Sequence, residues 1–274
     1  MVENNIIYNI DKNKFNNNYS NINNTKNKDS KNKDINNNKN NKNNKNNKNN
    51  KNNNKNDHSN IEIIKIGGSL TYEVDNLLNT LKKYVVKSNK KIIIIPGGGD
   101  FANVVRAIYE KTNLDDEGAH MLAVKSTDLI GLYFSEIANI LTVDNLYCAK
   151  KILNKENIVI FLPSKLILST DDLPKTWDLT SDSICAYVAK YLNLNRIIIA
   201  TNVNGIYTTY PKGKLLYTIN AKALKDFTSV DKYLSTLLVK HHIECFVVNG
   251  KYPQRIINIL NNISDIYTKI SPGG

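Results

Sequence analysis

From Ile61 onward, short runs of β-branched residues alternate with amphipathic stretches, and this alternation constrains the fold more than any other feature. Six runs are predicted to be strands: Ile61–Ile66, Lys91–Ile95, Ile158–Leu162, Arg196–Ala200, Cys245–Val248 and Tyr267–Ile270. Several consist almost entirely of Ile and Val, which is typical of strands buried on both faces of a parallel sheet. The sequence therefore predicts βαβ units and an α/β domain of three layers, in which helices cover both faces of an open, mostly parallel sheet.

Three of the intervening stretches predict helices most clearly. Apolar residues recur at intervals of three and four in residues 101–108, 184–191 and 230–238. One segment breaks the alternation of strand and helix. Ile206–Thr218 contains Tyr-Pro-Lys-Gly-Lys between apolar residues, and it predicts a β-hairpin.

Residues 1–60 differ sharply in composition from the rest of the chain, since Asn and Lys dominate them. They hold 12 Lys and 5 Asp or Glu, a net charge of +7 out of the +12 of the whole chain. So little apolar surface cannot offset a backbone ordering cost of about 1–2 kcal/mol per residue, so we predict a disordered low-complexity tail followed by one domain over 61–274. Lysine runs can bind nucleic acid, but this tail lacks Arg and interleaved aromatic residues. That favours a solvated extension that binds no nucleic acid.

Composition excludes several classes of protein. No apolar run approaches the ~18 residues of a transmembrane helix, and the N-terminus lacks the charged and apolar regions of a secretory signal. We therefore expect a cytoplasmic protein with no membrane partner. Cys148, Cys185 and Cys245 are far apart and odd in number, which fits neither a disulfide framework nor a zinc site. They are expected to be free buried thiols, and no metal ligands are predicted.

Glycine-rich loops directly follow the first two predicted strands. They are Lys65-Ile66-Gly67-Gly68-Ser69 and Pro96-Gly97-Gly98-Gly99-Asp100. Glycines let backbone N–H groups approach an anion closely, and a following helix N-terminus adds partial positive charge. Because neighbouring parallel strands place both loops at one edge of the sheet, we expect two anion-binding loops side by side. This arrangement suits phosphoryl transfer between two phosphate-bearing molecules, with Lys65 as the cation that neutralises the transferred group.

Two further segments contain polar residues at predicted element ends. In Trp177-Asp178-Leu179-Thr180-Ser181-Asp182-Ser183, one of Thr180, Ser181 and Asp182 is expected to cap the helix that follows. One cap suffices, so the surplus indicates a second role, in which Asp182 orients catalytic lysines or holds Mg²⁺. Thr201–Tyr207 follows the fourth strand and by itself predicts only a turn. The P-loop pattern is absent from the chain, and no glycine pattern fits a dinucleotide-binding site.

Together these four segments resemble the amino acid kinase superfamily, which includes aspartate, acetylglutamate, carbamate, uridylate and isopentenyl phosphate kinases. Order and spacing agree over nearly all of residues 61–274. The resemblance implies the amino acid kinase fold, ATP and Mg²⁺ as cofactors, a small-molecule partner and a homo-oligomer. It implies that Lys65 contacts the transferred phosphoryl group and that Asp182 organises the catalytic lysines.

The resemblance also implies two sets of binding residues. Those implied for ATP are Gly67, Gly68, Ser69, Thr201, Asn202, Val203, Gly205, Tyr207, Pro211, Lys212 and Lys214. Those implied for the acceptor are Gly97, Gly98, Gly99, Asp100, Arg106, Thr180 and Ser181. In one place the sequence departs from the family pattern, because Asn202 and Asn204 stand where the family usually has Asp. Asn keeps the shape and an acceptor oxygen but loses the charge.

Within the superfamily, the chain is most similar to a small archaeal branch, the [5-(aminomethyl)furan-3-yl]methyl phosphate kinases of methanofuran biosynthesis and hence of methanogenesis. The marks of this branch are residues 96–106, 162–165, 177–183, 224–231 and 247–250. The resemblance implies conversion of a monophosphate to a diphosphate with ATP. Two alternatives stay open: a uridylate or other nucleoside monophosphate kinase, and a nucleotide-binding storage or regulatory protein without turnover.

The acceptor implied by this branch carries a cationic aminomethyl group and an anionic phosphate. Asp100, Asp128 or Trp177 could contact the amine, although a helix-surface Asp and a core Trp are the simpler interpretation. His120, His241 and His242 have no evident partner in the sequence.

Overall fold

The computed structural model of the protein describes residues 60–210, 212–226 and 229–273. Apart from Asn60, the predicted tail lies outside the described residues, and Pro211 lies outside them too. Across the described ranges, no helix has both the length and the apolar composition needed to cross a bilayer.

Eight of the ten described strands form one sheet. The strands are β1 (Ile61–Ile66), β2 (Lys91–Pro96), β3 (Thr142–Val143), β4 (Ile158–Phe161), β5 (Arg196–Thr201), β6 (Ile206–Tyr207), β7 (Leu215–Leu216), β8 (Thr218–Asn220), β9 (Glu244–Asn249) and β10 (Thr268–Ser271). The sheet order is β3-β4-β2-β1-β5-β9-β10-β8. Neighbouring strands are parallel except β9 and β10, which run antiparallel. This confirms the mostly parallel sheet predicted from the Ile- and Val-rich runs.

Eight α-helices are described between these strands. They are α1 (Val74–Lys87), α2 (Gly99–Lys111), α3 (Asp116–Ala138), α4 (Leu146–Glu156), α5 (Ser164–Leu168), α6 (Ser181–Tyr191), α7 (Leu234–His241) and α8 (Pro253–Leu260). Two 3₁₀ helices, Gly68–Glu73 and Ala221–Asp226, add to them.

The side chains of β1 alternate between two separate cores. Ile61 and Ile63 pack on the side of α4, α6 and α7, whereas Ile64 and Ile66 pack on the side of α1, α3 and α8. All six residues of β1 are buried, as expected of a central strand covered on both faces. The predicted three-layer architecture is therefore confirmed.

Two helices depart from the sequence prediction. The spacing of apolar residues does not predict α3, the longest described helix at 23 residues, because its buried side includes small and polar residues such as Ser126 and Gly131. The spacing of Phe101, Val104, Val105 and Ile108 predicts α2 correctly. Of these four residues, however, only Val105 is buried, and the other three are largely exposed.

The predicted hairpin is present but shorter than expected. β6 and β7 pair antiparallel, with Ile206 opposite Leu216. Thr218, however, begins β8, which joins the main sheet beside β10. The segment 230–238 likewise becomes helical only from Leu234, because the residues before it form a turn.

Candidate active site

The two glycine loops lie against each other at the carboxyl edge of the sheet. β1 and β2 pair with Ile66 opposite Pro96, and the Gly97 N–H donates to the Ile66 carbonyl at 2.8 Å. A Cβ added to Gly68 would lie 2.4 Å from the backbone nitrogen of Gly99, which is too close for any side chain. Glycine therefore allows the two backbones to meet, and the predicted juxtaposition of the loops is confirmed.

A buried ion pair lies beside these loops. Lys65 is on β1, and Asp182 is in the first turn of α6, which packs against that strand. The Lys65 Nζ is 2.6 Å from Asp182 Oδ1, and the two side chains are only 10% and 8% exposed. A Cβ added to Gly67 would lie 3.3 Å from the same Nζ, so the ammonium group reaches the first glycine loop. In such a poorly solvated position, a cation acts on a neighbouring phosphate more strongly than it would in water.

Asp231 joins the start of α6 to the segment before α7. Its carboxylate accepts hydrogen bonds from the N–H and the hydroxyl of Thr180, both at 2.9 Å, and from the N–H of Ser183 at 2.9 Å. The Ser183 hydroxyl and the Leu234 N–H donate to it as well. The backbone N–H of Asp231 in turn donates to Asp182 Oδ2 at 3.2 Å. Asp231 thus fixes both the helix start and the second oxygen of the ion-paired carboxylate.

These contacts correct the sequence prediction for the start of α6. Thr180 is the N-cap residue, but its side chain makes no capping hydrogen bond within the helix, and the free N–H of Ser183 in the first turn is satisfied by Asp231 instead. Burial raises the pKa of Asp231 to about 6, and the charge of Asp182 adds to the shift, although hydrogen bonds from Ser183 and Thr180 oppose it. The carboxylate that pairs with Lys65 is therefore the neighbour of a second carboxyl group, that of Asp231.

A cavity of about 470 Å³ opens between the glycine loops, α2, α3 and the start of α6. Its size suits a small molecule. The predicted site residues that line it are Gly68, Ser69, Gly98, Gly99, Asp100, Arg106, Thr180 and Ser181. Gly97 does not line the cavity but packs against the first glycine loop, since a Cβ there would lie 2.7 Å from the Gly68 nitrogen. Most of the residues predicted for the acceptor therefore share one cavity with part of the first glycine loop.

Polar and aromatic side chains from α2, from the first 3₁₀ helix and from the segment before α6 line the same cavity. The Arg106 guanidinium lies 5.2 Å from the centre of the Trp177 ring, a cation–π distance, and donates to Asn103 Oδ1 at 3.0 Å. Asp100 accepts hydrogen bonds from the Tyr72 hydroxyl and from Asn103. The Asp100 carboxylate and the Arg106 guanidinium are therefore held in place by other residues that line the cavity.

The segment from the end of β5 to β6, residues 201–207, lies at the same sheet edge but does not line this cavity. The Gly67 N–H donates to the Ala200 carbonyl at 2.8 Å, which places the end of β5 directly beside the first glycine loop. Gly205 has a φ of +150°, and a Cβ there would lie 2.4 Å from Thr268 Oγ1, so the turn requires glycine. The predicted site residues thus separate into two groups on either side of the end of β1.

Asn204 is held in this loop by two side chains. Its Oδ1 accepts from Arg255 Nη1 at 2.7 Å and from Asn249 Nδ2 at 3.3 Å. Asn249 also donates to the carbonyl of Asn202, whose side chain is exposed. Both contacts need only an acceptor oxygen at position 204. Asn204 can therefore make the contacts that an Asp would make here.

The remaining residues predicted for ATP lie on or near the hairpin. Val203 and Tyr207 are half-buried, whereas Lys212 and Lys214 are exposed. Thr201 ends β5 and accepts a hydrogen bond from the Gly250 N–H through its carbonyl.

Comparison with known proteins agrees with this geometry. Residues 60–258 match the sequence profile of the amino acid kinase family. The chain belongs to the amino acid kinase family. It is 49% identical over 210 residues, 77% of this chain and 97% of the relative, to the [5-(aminomethyl)furan-3-yl]methyl phosphate kinase of Methanocaldococcus jannaschii. It is 24% identical to the uridylate kinase of Methanococcus aeolicus, over 73% of this chain and 95% of that one.

Solved structures of UMP kinases share the fold of this amino acid kinase family member. The UMP kinase of Bacillus anthracis superposes with a TM-score of 0.61 at 17% identity and covers 78% of this chain and 96% of its own. The UMP kinase of Ureaplasma parvum gives a TM-score of 0.59 at 20% identity, over 77% and 95% of the two chains. This confirms the predicted amino acid kinase fold.

Several other residues lie at or near the cavity although their sequence context predicts no role there or a different one. Asp231 appears in the sequence only as the end of a branch motif, and no local signal links it to α6. Asp128, considered above for the amine, instead accepts from the N–H of Ser164 at 3.1 Å and from its hydroxyl, at the start of α5, and it does not line the cavity. His120 and Trp177 do line it.

The described residues contain no cluster of three or more His, Cys, Asp or Glu side chains that could enclose a metal ion. Asp182 Oδ1 is already engaged by Lys65. Within the described ranges, the side chains therefore form no cage for Mg²⁺. A magnesium ion that enters bound to the phosphates of ATP needs few protein ligands, because it retains several waters.

Proposed function

We propose that this protein transfers the γ-phosphoryl group of ATP to the phosphate of [5-(aminomethyl)furan-3-yl]methyl phosphate, in methanofuran biosynthesis. An oxygen of the acceptor phosphate attacks the γ-phosphorus, the bond from that phosphorus to the bridging oxygen of ADP breaks, and the products are the furan diphosphate and ADP. One observation carries the choice of substrate: the 49% identity to the kinase of that name extends over 97% of its length.

In this proposal, Lys65 and Asp182 are the catalytic residues. The ammonium group of Lys65 neutralises charge on the phosphoryl group in transit, and the ion pair with Asp182 at 2.6 Å holds it beside the glycine loops. No covalent intermediate and no general base is needed, because the acceptor is already an anion. The chain contributes positioning and electrostatic stabilisation.

The two glycine loops divide the phosphates between them. Backbone groups of Gly67, Gly68 and Ser69 bind the phosphates of ATP, and those of Gly97–Gly99 bind the phosphate of the acceptor, with Arg106 near it. Asp100, Thr180 and Ser181 complete the acceptor side, where they line the cavity. Contact between the loops supports this assignment, since it places the two anions close enough for transfer.

The nucleotide lies on the other side of β1 in this proposal. Thr201, Asn202, Val203, Gly205 and Tyr207 surround it. Pro211, Lys212 and Lys214 of the hairpin segment complete that group. Mg²⁺ accompanies ATP as the counter-ion of its phosphates.

The wider arrangement of the protein is part of the same proposal. Residues 61–274 form the catalytic domain, and a chain without residues 1–59 should keep its kcat/KM. A cytoplasmic location stays a prediction, drawn from the sequence alone. We also propose a homo-oligomer, which is supported by the exposed apolar residues Phe101, Val104 and Ile108 on α2, an arrangement common at subunit contacts.

The direct test is to follow ADP release with the furan phosphate, UMP and AMP in parallel. We expect the highest kcat/KM with the furan phosphate. A higher value with UMP or AMP would replace the proposal by a nucleoside monophosphate kinase. ATP binding without turnover of any of the three would favour a storage or regulatory protein.

A further inference from the structure

His120 is a buried polar residue of the cavity that the proposed reaction does not use. It lies on α3, is only 3% exposed and lines the cavity together with Trp177. Its Nδ1 lies 3.1 Å from the carbonyl oxygen of Thr176, the residue before Trp177. Its ring therefore lies against the wall that Trp177 forms.

The hydrogen bond to Thr176 determines which ring nitrogen bears the proton. A carbonyl oxygen can only accept, so Nδ1 of His120 must donate. Burial lowers the pKa of His120, and the nearby Lys175 lowers it further, so the ring is neutral at physiological pH. Nε2 is then an unprotonated acceptor, and no hydrogen bond to it is found among the described residues.

Other polar groups of the cavity wall are less suited to bind a cation. The indole Nε1–H of Trp177 is buried without a partner, but it can only donate a hydrogen bond. The Thr127 hydroxyl donates to the Val124 carbonyl at 2.7 Å. Asp100 is exposed and already accepts from Tyr72 and Asn103. An exposed carboxylate contributes little discrimination because water competes for it, whereas a buried acceptor without a partner is costly.

The position of His120 along α3 fits the far end of an acceptor whose phosphate lies at the second glycine loop. A Cβ added to Gly98 would lie 3.6 Å from the Ala123 carbonyl, so α3 contacts the loop at that residue. His120 is three residues earlier, about 5 Å along the helix axis. That displacement is comparable to the reach of a five-membered ring with one exocyclic carbon.

We propose that His120 determines specificity for the acceptor: its Nε2 accepts a hydrogen bond from the ammonium group of the aminomethyl substituent. The inference rests on the proposed function, since it names the recognition of that substrate. Nε2 is accessible within the cavity, and an acceptor molecule without a donor at this place would cover it and leave it unpaired. We expect such acceptors to lose about 10–100-fold in kcat/KM.

The test combines two substrates with variants of His120. The substrates are the natural furan phosphate and an analogue in which the aminomethyl group is replaced by ethyl, which has the same shape but no donor. His120→Asn keeps a donor near the position of Nδ1 and loses the acceptor. His120→Gln places an oxygen near the position of Nε2 and loses the bond to Thr176. Wild type should prefer the amine by about 10–100-fold, Asn should lose that preference through a raised KM, and Gln should retain much of it.

The possible outcomes are distinct. If Asn retains the preference and Gln loses it, His120 acts only through Thr176 and the inference is overturned. If Asp100→Asn abolishes the preference in an otherwise active enzyme, the amine is bound by that carboxylate and the inference is also overturned. A wild type that uses both furans equally contradicts the inference but leaves the proposed function intact. If wild type turns over neither furan, both the inference and the proposed function are contradicted.

Discussion

Two buried ion clusters lie at the two ends of the same strand, and their compositions are opposite. At the amino end of β1, Glu62 is paired with Lys90 at 2.7 Å and with Arg196 at 2.5 Å, so one carboxylate lies between two cations. Near the carboxyl end, Lys65 is paired with Asp182, and Asp231 lies beside Asp182, so two neighbouring carboxyl groups share one paired cation. Both central side chains are almost fully buried.

Burial and pairing alone therefore do not identify a site. The Glu62 cluster does not line the cavity described above and has no glycine loop next to it in the sequence, and its cations are partly exposed. The Lys65 cluster lies where parallel strands end, beside two loops of bare backbone and a cavity. In addition, Asp182 Oδ1 has no hydrogen bond of good geometry and is held only by the ion pair. Such incomplete satisfaction is typical of groups kept for chemistry.

Substitution of Lys65 is expected to have the largest effect, and it tests whether the two ends of β1 differ in function. Lys65→Met should lower kcat by about 10²–10³-fold, because a preorganised cation in a poorly solvated site stabilises the transition state strongly. Steady-state turnover of the furan phosphate checks this. Met leaves Asp182 without its partner, so the double variant Lys65→Met/Asp182→Asn tests whether lost activity follows from the missing cation rather than from a weakened fold.

Glu62→Gln is the matched control at the other end of the strand. It should lower the free energy of unfolding by about 1–3 kcal/mol, because hydrogen bonds to two cations are weakened. Its kcat should change little. A loss of kcat as large as that of Lys65→Met would show that the two clusters are not functionally distinct.

A smaller effect is expected from Gly68→Ala, which tests whether contact between the loops distinguishes the carboxyl end. The new Cβ would meet the Gly99 backbone at 2.4 Å, and backbone cannot move aside as a side chain can. Displacing one loop by a fraction of an ångström should lower kcat/KM by about 10²-fold. Gly118→Ala is the control, since its Cβ would meet only the side chains of Asp115 and Leu114. Equal activity of the two variants would contradict the assigned role of the loops.

The sheet is predictable from the sequence because each central strand is buried on both faces. All six residues of β1 are buried, so its sequence is a mostly apolar run that can be recognised as a central strand. The short strand β3 and the helix α3 escape prediction for the opposite reason. α3 buries Ser126, Thr127 and Gly131 alongside apolar residues, so its buried face has no apolar period.

The site is only partly predictable from the sequence, because some of its contacts join segments that are far apart in the chain. Glycine loops that follow strands can be recognised in the sequence, because the sheet edge brings them together. Asp231 cannot, since its role depends on a contact with α6 across about fifty positions of the chain. The neutral state and orientation of His120 likewise depend on burial and on a carbonyl from a distant segment.

The smallest effect is expected on the pH dependence of stability, and it concerns Asp231, which has no counterpart in the Glu62 cluster. The folded protein raises the pKa of Asp231 from its ordinary value of 3.8 to about 6, first through burial and then through the charge of Asp182. Between these values the folded chain keeps a proton that the unfolded chain has lost, so raising the pH weakens folding. The stability of wild type relative to Asp231→Asn should therefore fall from about pH 4 to about pH 6 and level off above it. Denaturant unfolding of both proteins across this range checks the difference. Parallel profiles would mean that Asp231 is ionised throughout, and that its five hydrogen bonds outweigh its burial.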